Sequence, residues 1–139
     1  KLHRSDAEKF TNLSWSLLGR YIASNTHLVK IDLNDCGITD EKMTLFFSEL
    51  VRSSSLKQLL ISDNEFGIVG VRSMVPFLRN ATNISNINFN RNNNISKDGF
   101  ELVISALDGK SIRELVFKNC NITDTSALVQ TLHGRPSTP

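Results

Sequence analysis

Apolar and polar positions along this chain follow a fixed period. Between Leu28 and Ile38 (LVKIDLNDCGI), apolar residues fall at the first, fourth and sixth places, Leu28, Ile31 and Leu33. Cys36 follows at the ninth place and Ile38 at the eleventh. The pattern returns 28 residues on as Leu56, Leu59, Ile61, Asn64 and Phe66. It returns again as Ile84, Ile87, Phe89 and Asn92, and once more as Ile112, Leu115, Phe117, Cys120 and Ile122. A period held three times over is an internal repeat, and each repeat is one unit that cannot bury its apolar face alone.

Each unit predicts a short strand followed by a helix. In the first, Val29 to Asn34 reads as the strand, Thr39-Asp40 as the cap, and residues 40–53 as a helix with Met43, Phe46, Phe47 and Leu50 inward. In the second, Lys57 to Ser62 is the strand, and Val71, Met74, Val75 and Leu78 form the helical stripe. Pro76 lies inside that helix and removes a hydrogen bond, which predicts a kink or a short helix. The third unit has one extra residue, so that Ile95 takes the twelfth place, and a loss at Asp108-Gly109-Lys110 restores the total; Phe100, Val103, Ile104 and Leu107 are its stripe. The fourth helix is expected at about residues 124–133 and stops at Gly134.

Residues 1–26 look like the back half of a repeat that lacks its strand. Ser5-Asp6 is expected to cap a helix from near Ala7, with Phe10, Leu13, Leu17, Leu18 and Tyr21 at helical spacing. Trp15, Leu18 and Ile22 stand one period before Met43, Phe46 and Leu50, which places this helix in the array. Starting in mid-repeat, the chain is expected to be a fragment of something longer. The expected division is one domain over 1–134, made of the half repeat 1–26 and repeats 27–54, 55–82, 83–110 and 111–134, followed by a polar tail at 135–139.

Composition narrows the classes without naming one. At 139 residues, with 40% hydrophobic and 22% charged residues, the chain suits one globular domain. No apolar run reaches the roughly 18 residues a membrane span needs. A net charge of +2 without clustered basic residues gives no footprint for nucleic acid. Two cysteines without a disulfide plan point to an intracellular setting, while the Asn-X-Ser/Thr triplets at Asn12, Asn80, Asn83, Asn94 and Asn121 leave secretion open. With 14 asparagines in the chain, two or three such triplets would arise by chance, and the accidental reading is preferred.

A strand of about six residues buries its apolar face only by stacking on copies of itself at about 4.8 Å, with the helices laid along the other side. The helix layer is the wider of the two, so the stack should bend with its strands inside. Asn or Cys at the ninth place sits where the chain leaves the sheet, where an Asn amide can satisfy the backbone of the turn. The segments LVKIDLNDCGITD, LKQLLISDNEF, INFNRNN and IRELVFKNCNITD together resemble the leucine-rich repeat, specifically its ribonuclease-inhibitor-like class. The resemblance implies an α/β solenoid, a horseshoe arc with parallel strands on the concave face and helices on the convex one. It also implies recognition of another protein, as in the inhibitors, actin-regulator scaffolds, innate-immune sensors and small-GTPase activators of that class.

Chemistry-bearing residues have plainer explanations. Cys36 and Cys120 hold equivalent places three units apart, on the order of 14 Å at that strand spacing, beyond disulfide reach; they read as ladder residues in place of Asn. His3, His27 and His133 fall near turns or a helix end without a paired nucleophile. Asp32, Asp35 and Asp63 would crowd, but Asn88, Arg91, Val116 and Asn119 take the matching places further on, so the acidic row stops. With no acid–base pair, nucleophile or phosphate loop in view, neither catalysis, metal, cofactor nor small-molecule substrate is expected.

The inner face is therefore the candidate binding surface. Its third, fifth and seventh places read Lys30, Asp32, Asn34; Gln58, Leu60, Ser62; Asn86, Asn88, Asn90; and Glu114, Val116, Lys118. The eighth places, Asp35, Asp63, Arg91 and Asn119, lie on the rim loops. Leu60 and Val116 are unusual on an open sheet face, and aromatic anchors of the kind that dominate hot spots are missing from it. The open ends of the array offer a second contact. The expectation is a non-enzymatic recognition or scaffold module, such as a subunit or fragment of a larger assembly, with protein partners; inhibition of an enzyme or regulation of a small GTPase is the alternative.

Overall fold

The computed structural model describes residues 1–122. The expected fourth helix, His133 and the tail at 135–139 lie outside the described residues. Four strands, β1 (Lys30–Asp32), β2 (Gln58–Leu60), β3 (Asn86–Asn88) and β4 (Glu114–Val116), form one parallel sheet in chain order. Partners stand 28 residues apart throughout: Ile31 faces Leu59, Leu59 faces Ile87, and Ile87 faces Leu115. The strands are three residues long, shorter than the apolar pattern suggests, because regular pairing gives way to the turn. Parallel bonding nevertheless continues beyond them, through Leu33 N to Leu60 O and Asp35 N to Ser62 O.

Helices α1 (Arg4–Ala7), α2 (Asn12–Ser24), α3 (Asp40–Leu50), α4 (Ile68–Asn80) and α5 (Ser96–Ala106) complete the described chain, and α2 to α5 pack side by side in order. The core between the two layers holds the repeating apolar places. Leu59, Ile61, Phe66, Val71, Met74, Phe89 and Val103 are wholly buried. Phe89 stacks on Phe117 with ring centroids 4.6 Å apart, and Phe47 meets Phe77 at 5.6 Å, so aromatic contacts cross unit boundaries in both layers. The inward sets expected for α3 and α5 are found there, with Ile104 only half-buried.

Caps and breakers account for the helix limits. Thr39 accepts from Lys42 N and opens α3, which ends at Leu50, short of the serines. The N-cap of helix α4 is Gly67, which has no side chain to cap with, and the capping group comes from the neighbouring unit. Asp40 Oδ1 accepts the backbone N–H groups of Gly67 and Gly70, each at 2.8 Å. A Cβ on Gly70 would stand 2.8 Å from that same oxygen, so the cap needs glycine there. Pro76 does not shorten α4, which runs 13 residues. Pro76 and Arg72 are both exposed, so the carbonyl that loses its donor faces water.

The amino end differs from the expected helix. Thr11 caps α2 in a capping box with Ser14, and Ala7 belongs to the separate turn α1. Trp15 and Ile22 face the core, while Leu13 (65%), Leu17 (46%) and Tyr21 (64%) are exposed. Both sets have helical spacing, and packing on α3 decides between them: Asn12 Nδ2 donates to Glu41 and Arg20 pairs with Glu49. The sheet edge beside β1 is also occupied. Leu2 N donates to Asp32 O as Leu33 N does to Leu60 O, so Leu2 holds a strand place of its own.

The open face of the sheet

Alternation along each strand sends Ile31, Leu59, Ile87 and Leu115 into the core and their neighbours outward. The register therefore lays two rows across the open face: Lys30, Gln58, Asn86, Glu114, and Asp32, Leu60, Asn88, Val116. Asn34, Ser62, Asn90 and Lys118 follow where the chain leaves the strands. Most of these residues are half-buried by one another, and Lys30, Glu114 and Lys118 stand fully out. Ser62 is 3% exposed and offers a partner little surface, since it is enclosed beneath the rim and its hydroxyl turns to Asp63.

Hydrogen bonds divide the four units into two alternating kinds. In the first and third, an Asx at the fifth place accepts the N–H two residues on: Asn34 N to Asp32 Oδ1 at 3.1 Å, and Asn90 N to Asn88 Oδ1 at 2.9 Å. In the second and fourth, the fifth place is Leu60 or Val116, which cannot accept. There the corresponding N–H reaches the preceding unit: Ser62 N to Asn34 Oδ1 at 2.7 Å, and Lys118 N to Asn90 Oδ1 at 2.8 Å. The apolar residues that looked out of place thus alternate with acceptors. The pairing of Asp32 with Asn34 and of Asn88 with Asn90 is visible in the chain, but its bonding partners are not.

Below this surface the ninth places form the expected ladder. Asn64 Oδ1 accepts from Cys36 N and Ile38 N, each at 3.0 Å, and its Nδ2 donates to Leu33 O and Ile61 O. Asn92 repeats the pattern on Asn64 N, Ile61 O and Phe89 O. Cys36 Sγ lies 3.4 Å from Leu2 O and Cys120 Sγ 3.1 Å from Phe89 O, so each thiol takes an Asn position with one weak donor. Burial, then the charges of Asp32 and Asp35, pushes the Cys36 thiol up to about 11, and burial raises Cys120 as well. Both are free thiols held neutral.

The rim residues Asp35, Asp63, Arg91 and Asn119 all adopt left-handed backbone, with φ between 53° and 58°. Asp and Asn tolerate this region and Arg seldom enters it. Arg91 is fixed there by a two-point bond to Asp63, Nε to Oδ1 at 2.6 Å and Nη2 to Oδ2 at 2.7 Å. That hydrogen bond holds the Asp63 carboxyl below its usual range. Asp35 meets Arg4 at 3.2 Å, and Asp32 meets Lys1 at 3.9 Å. The three carboxylates that seemed set to crowd are therefore each matched to a cation. The glycosylation triplets at Asn12 and Asn83 have structural uses, because their amide nitrogens bond Glu41 and Ser54 O.

Comparison with known proteins agrees with this architecture. Residues 24–41 match the family described as Leucine Rich repeat. A 64-residue stretch, 45% of the chain, is 36% identical to NACHT, LRR and PYD domains-containing protein 5 of Mus musculus. The chain spans 6% of that relative's length. Among solved structures, Leiomodin-1 Actin-Binding Site 2 superposes over 86% of this chain and 68% of its own, with a TM-score of 0.68 at 12% identity. Residues 24–41 thus match a leucine-rich repeat, and the described residues share with the solved structure an α/β fold of parallel strands and helices.

Proposed function

We propose that this chain is a non-enzymatic protein-recognition module of the ribonuclease-inhibitor-like class, bent into a horseshoe arc and binding through the open face of its sheet. The observation that carries the reading is that face itself. A four-strand parallel sheet, whose strands are ordinarily covered on both sides, leaves one side to solvent, with the apolar Leu60 on the inner strand β2 and Val116 on β4. The strand register at 28 residues supports the class, and the matched relative with LRR in its name is consistent with it. No helix among the described residues is long and apolar enough to cross a membrane. No observation favours an inhibitor or a GTPase regulator over this reading.

The test is crosslinking mass spectrometry on protein recovered from its native source without overexpression. Crosslinks from Lys30, Lys57 or Lys118 to a distinct protein are expected. Crosslinks confined to Lys1, Lys9 and Lys110 would move the contact to the ends of the array and overturn the assignment to the open face.

A further inference from the structure

The amide groups on the open face are oriented by the framework beneath them. A backbone N–H can be answered only by the oxygen of an Asn side chain, so each bond described above fixes which end of the amide turns outward. Asn34, Asn88 and Asn90 each spend Oδ1 on a backbone N–H, and Asn86 spends Oδ1 on the Ser85 hydroxyl. Their four Nδ2 groups have no acceptor among the described residues. Lys30 and Lys118, the face's exposed cations, form no ion pair among the described residues, whereas Asp32, Asp63 and Asp35 are matched to Lys1, Arg91 and Arg4. What the face offers is thus donors and positive charge, with apolar contact at Leu60 and Val116. Glu114 is the exception and stands at the opposite end of β4 from Lys118.

We propose that the open face is a hydrogen-bond-donor surface that selects an acidic, extended protein segment. Asn86 and Asn88 stand at alternate places along β3, about 6.6 Å apart, the distance between alternate side chains of an extended partner, and Asn90 continues the row where the chain leaves the strand. Carboxylates and carbonyls of such a segment meet the free amide nitrogens, with its acidic side chains directed toward Lys118 and away from Glu114. The proposal rests on the reading that the open face is the binding surface.

An isosteric exchange separates the two ideas. Asn88→Asp and Asn90→Asp keep the oxygen that the framework needs and replace the outward donor with a charged acceptor. Asp32 already makes the bond of Asn88 from the equivalent place, so the folded state tolerates the change. Peptides displayed at random on phage are selected on the folded chain, and one enriched peptide is synthesised for affinity measurement. Enrichment in Asp and Glu is expected, with binding weakened about tenfold or more by the double Asn→Asp variant. Asn34→Asp serves as a second variant should the double one fold poorly. Selected peptides that lose binding to Leu60→Arg but ignore the Asn→Asp changes, or that are basic, would overturn the donor surface and leave the open-face reading standing. Peptides indifferent to Leu60→Arg and to both Asn→Asp variants, or a selection that enriches nothing, would overturn both.

Discussion

Asn64 and Cys36 hold the same place in consecutive units, yet they bond differently. Asn64 closes the turn of the unit before it: its oxygen serves Cys36 N and Ile38 N, and its nitrogen serves Leu33 O and Ile61 O. Cys36 has only the short segment at Leu2 beside it, whose N–H is already given to Asp32 O. A carbonyl is left to satisfy, and a thiol suffices. Asn64→Ala strands two buried N–H groups and is expected to cost about 3 kcal/mol or more, whereas Cys36→Ala is expected to cost about 1 kcal/mol. Urea midpoints of the two variants check this, and equal losses would mean that the ladder is not what closes the turns. The ninth-place pattern was legible in the sequence, as was the exchange of Asn for Cys. The reason that Cys suits the first unit was not, because Leu2 stands three residues before position 5, which the period would assign to its role.

At the scale of elements, what the chain showed plainly was the existence and order of strands and helices, and what it concealed was how one unit finishes another. Met43, Phe46, Phe47 and Leu50 declared the buried side of α3 because it is the apolar side. Helix α2 carries apolar residues on two sides, Leu13, Leu17 and Tyr21 as well as Trp15, Leu18 and Ile22, so spacing alone could not choose. The comparison with Met43, Phe46 and Leu50 one period later was the better guide, since it reports on packing and not on one helix. The start of α4 shows the same dependence, because its capping group belongs to α3. Asp40→Ala is expected to destabilise the protein by about 2 kcal/mol through loss of two charge-assisted bonds, with Asp40→Asn retaining most of the stability. Amide exchange should show the loss first at Gly67 and Gly70. An Asp40→Ala protein with unchanged protection at those two amides would exclude the cap between units.

At the scale of the whole molecule, stability is shared between neighbouring units among the described residues. Ile87 lies in the sheet between Leu59 and Leu115 and is 1% exposed, so the second, third and fourth units meet at it. Ile87→Asp places an unpaired charge in that core, and its cost should exceed the stability of so short an array. Loss of circular dichroism in one step, without a folded remnant of β1 and α3, is the expected outcome; a soluble, cooperatively folding variant would contradict the packing of that unit. Leu17 is the opposite case. Its counterpart one unit later, Leu45, is half-buried on the side of α3 flanked by Glu41 and Glu49, where Asn12 and Arg20 of α2 reach across. Leu17, with Leu13 and Tyr21, therefore lies on the side of α2 that a helix would cover if packing continued as it does from α2 to α5. In the protein alone, Leu17 is 46% exposed and outside the buried core, so the urea midpoint of Leu17→Lys should stay within about 0.5 kcal/mol of the unaltered protein. Self-association at high concentration should fall, because three adjacent apolar side chains no longer form one exposed strip. Sedimentation at rising concentration measures this, and a Leu17→Lys protein that associates as readily as the original would show that the strip has no part in assembly.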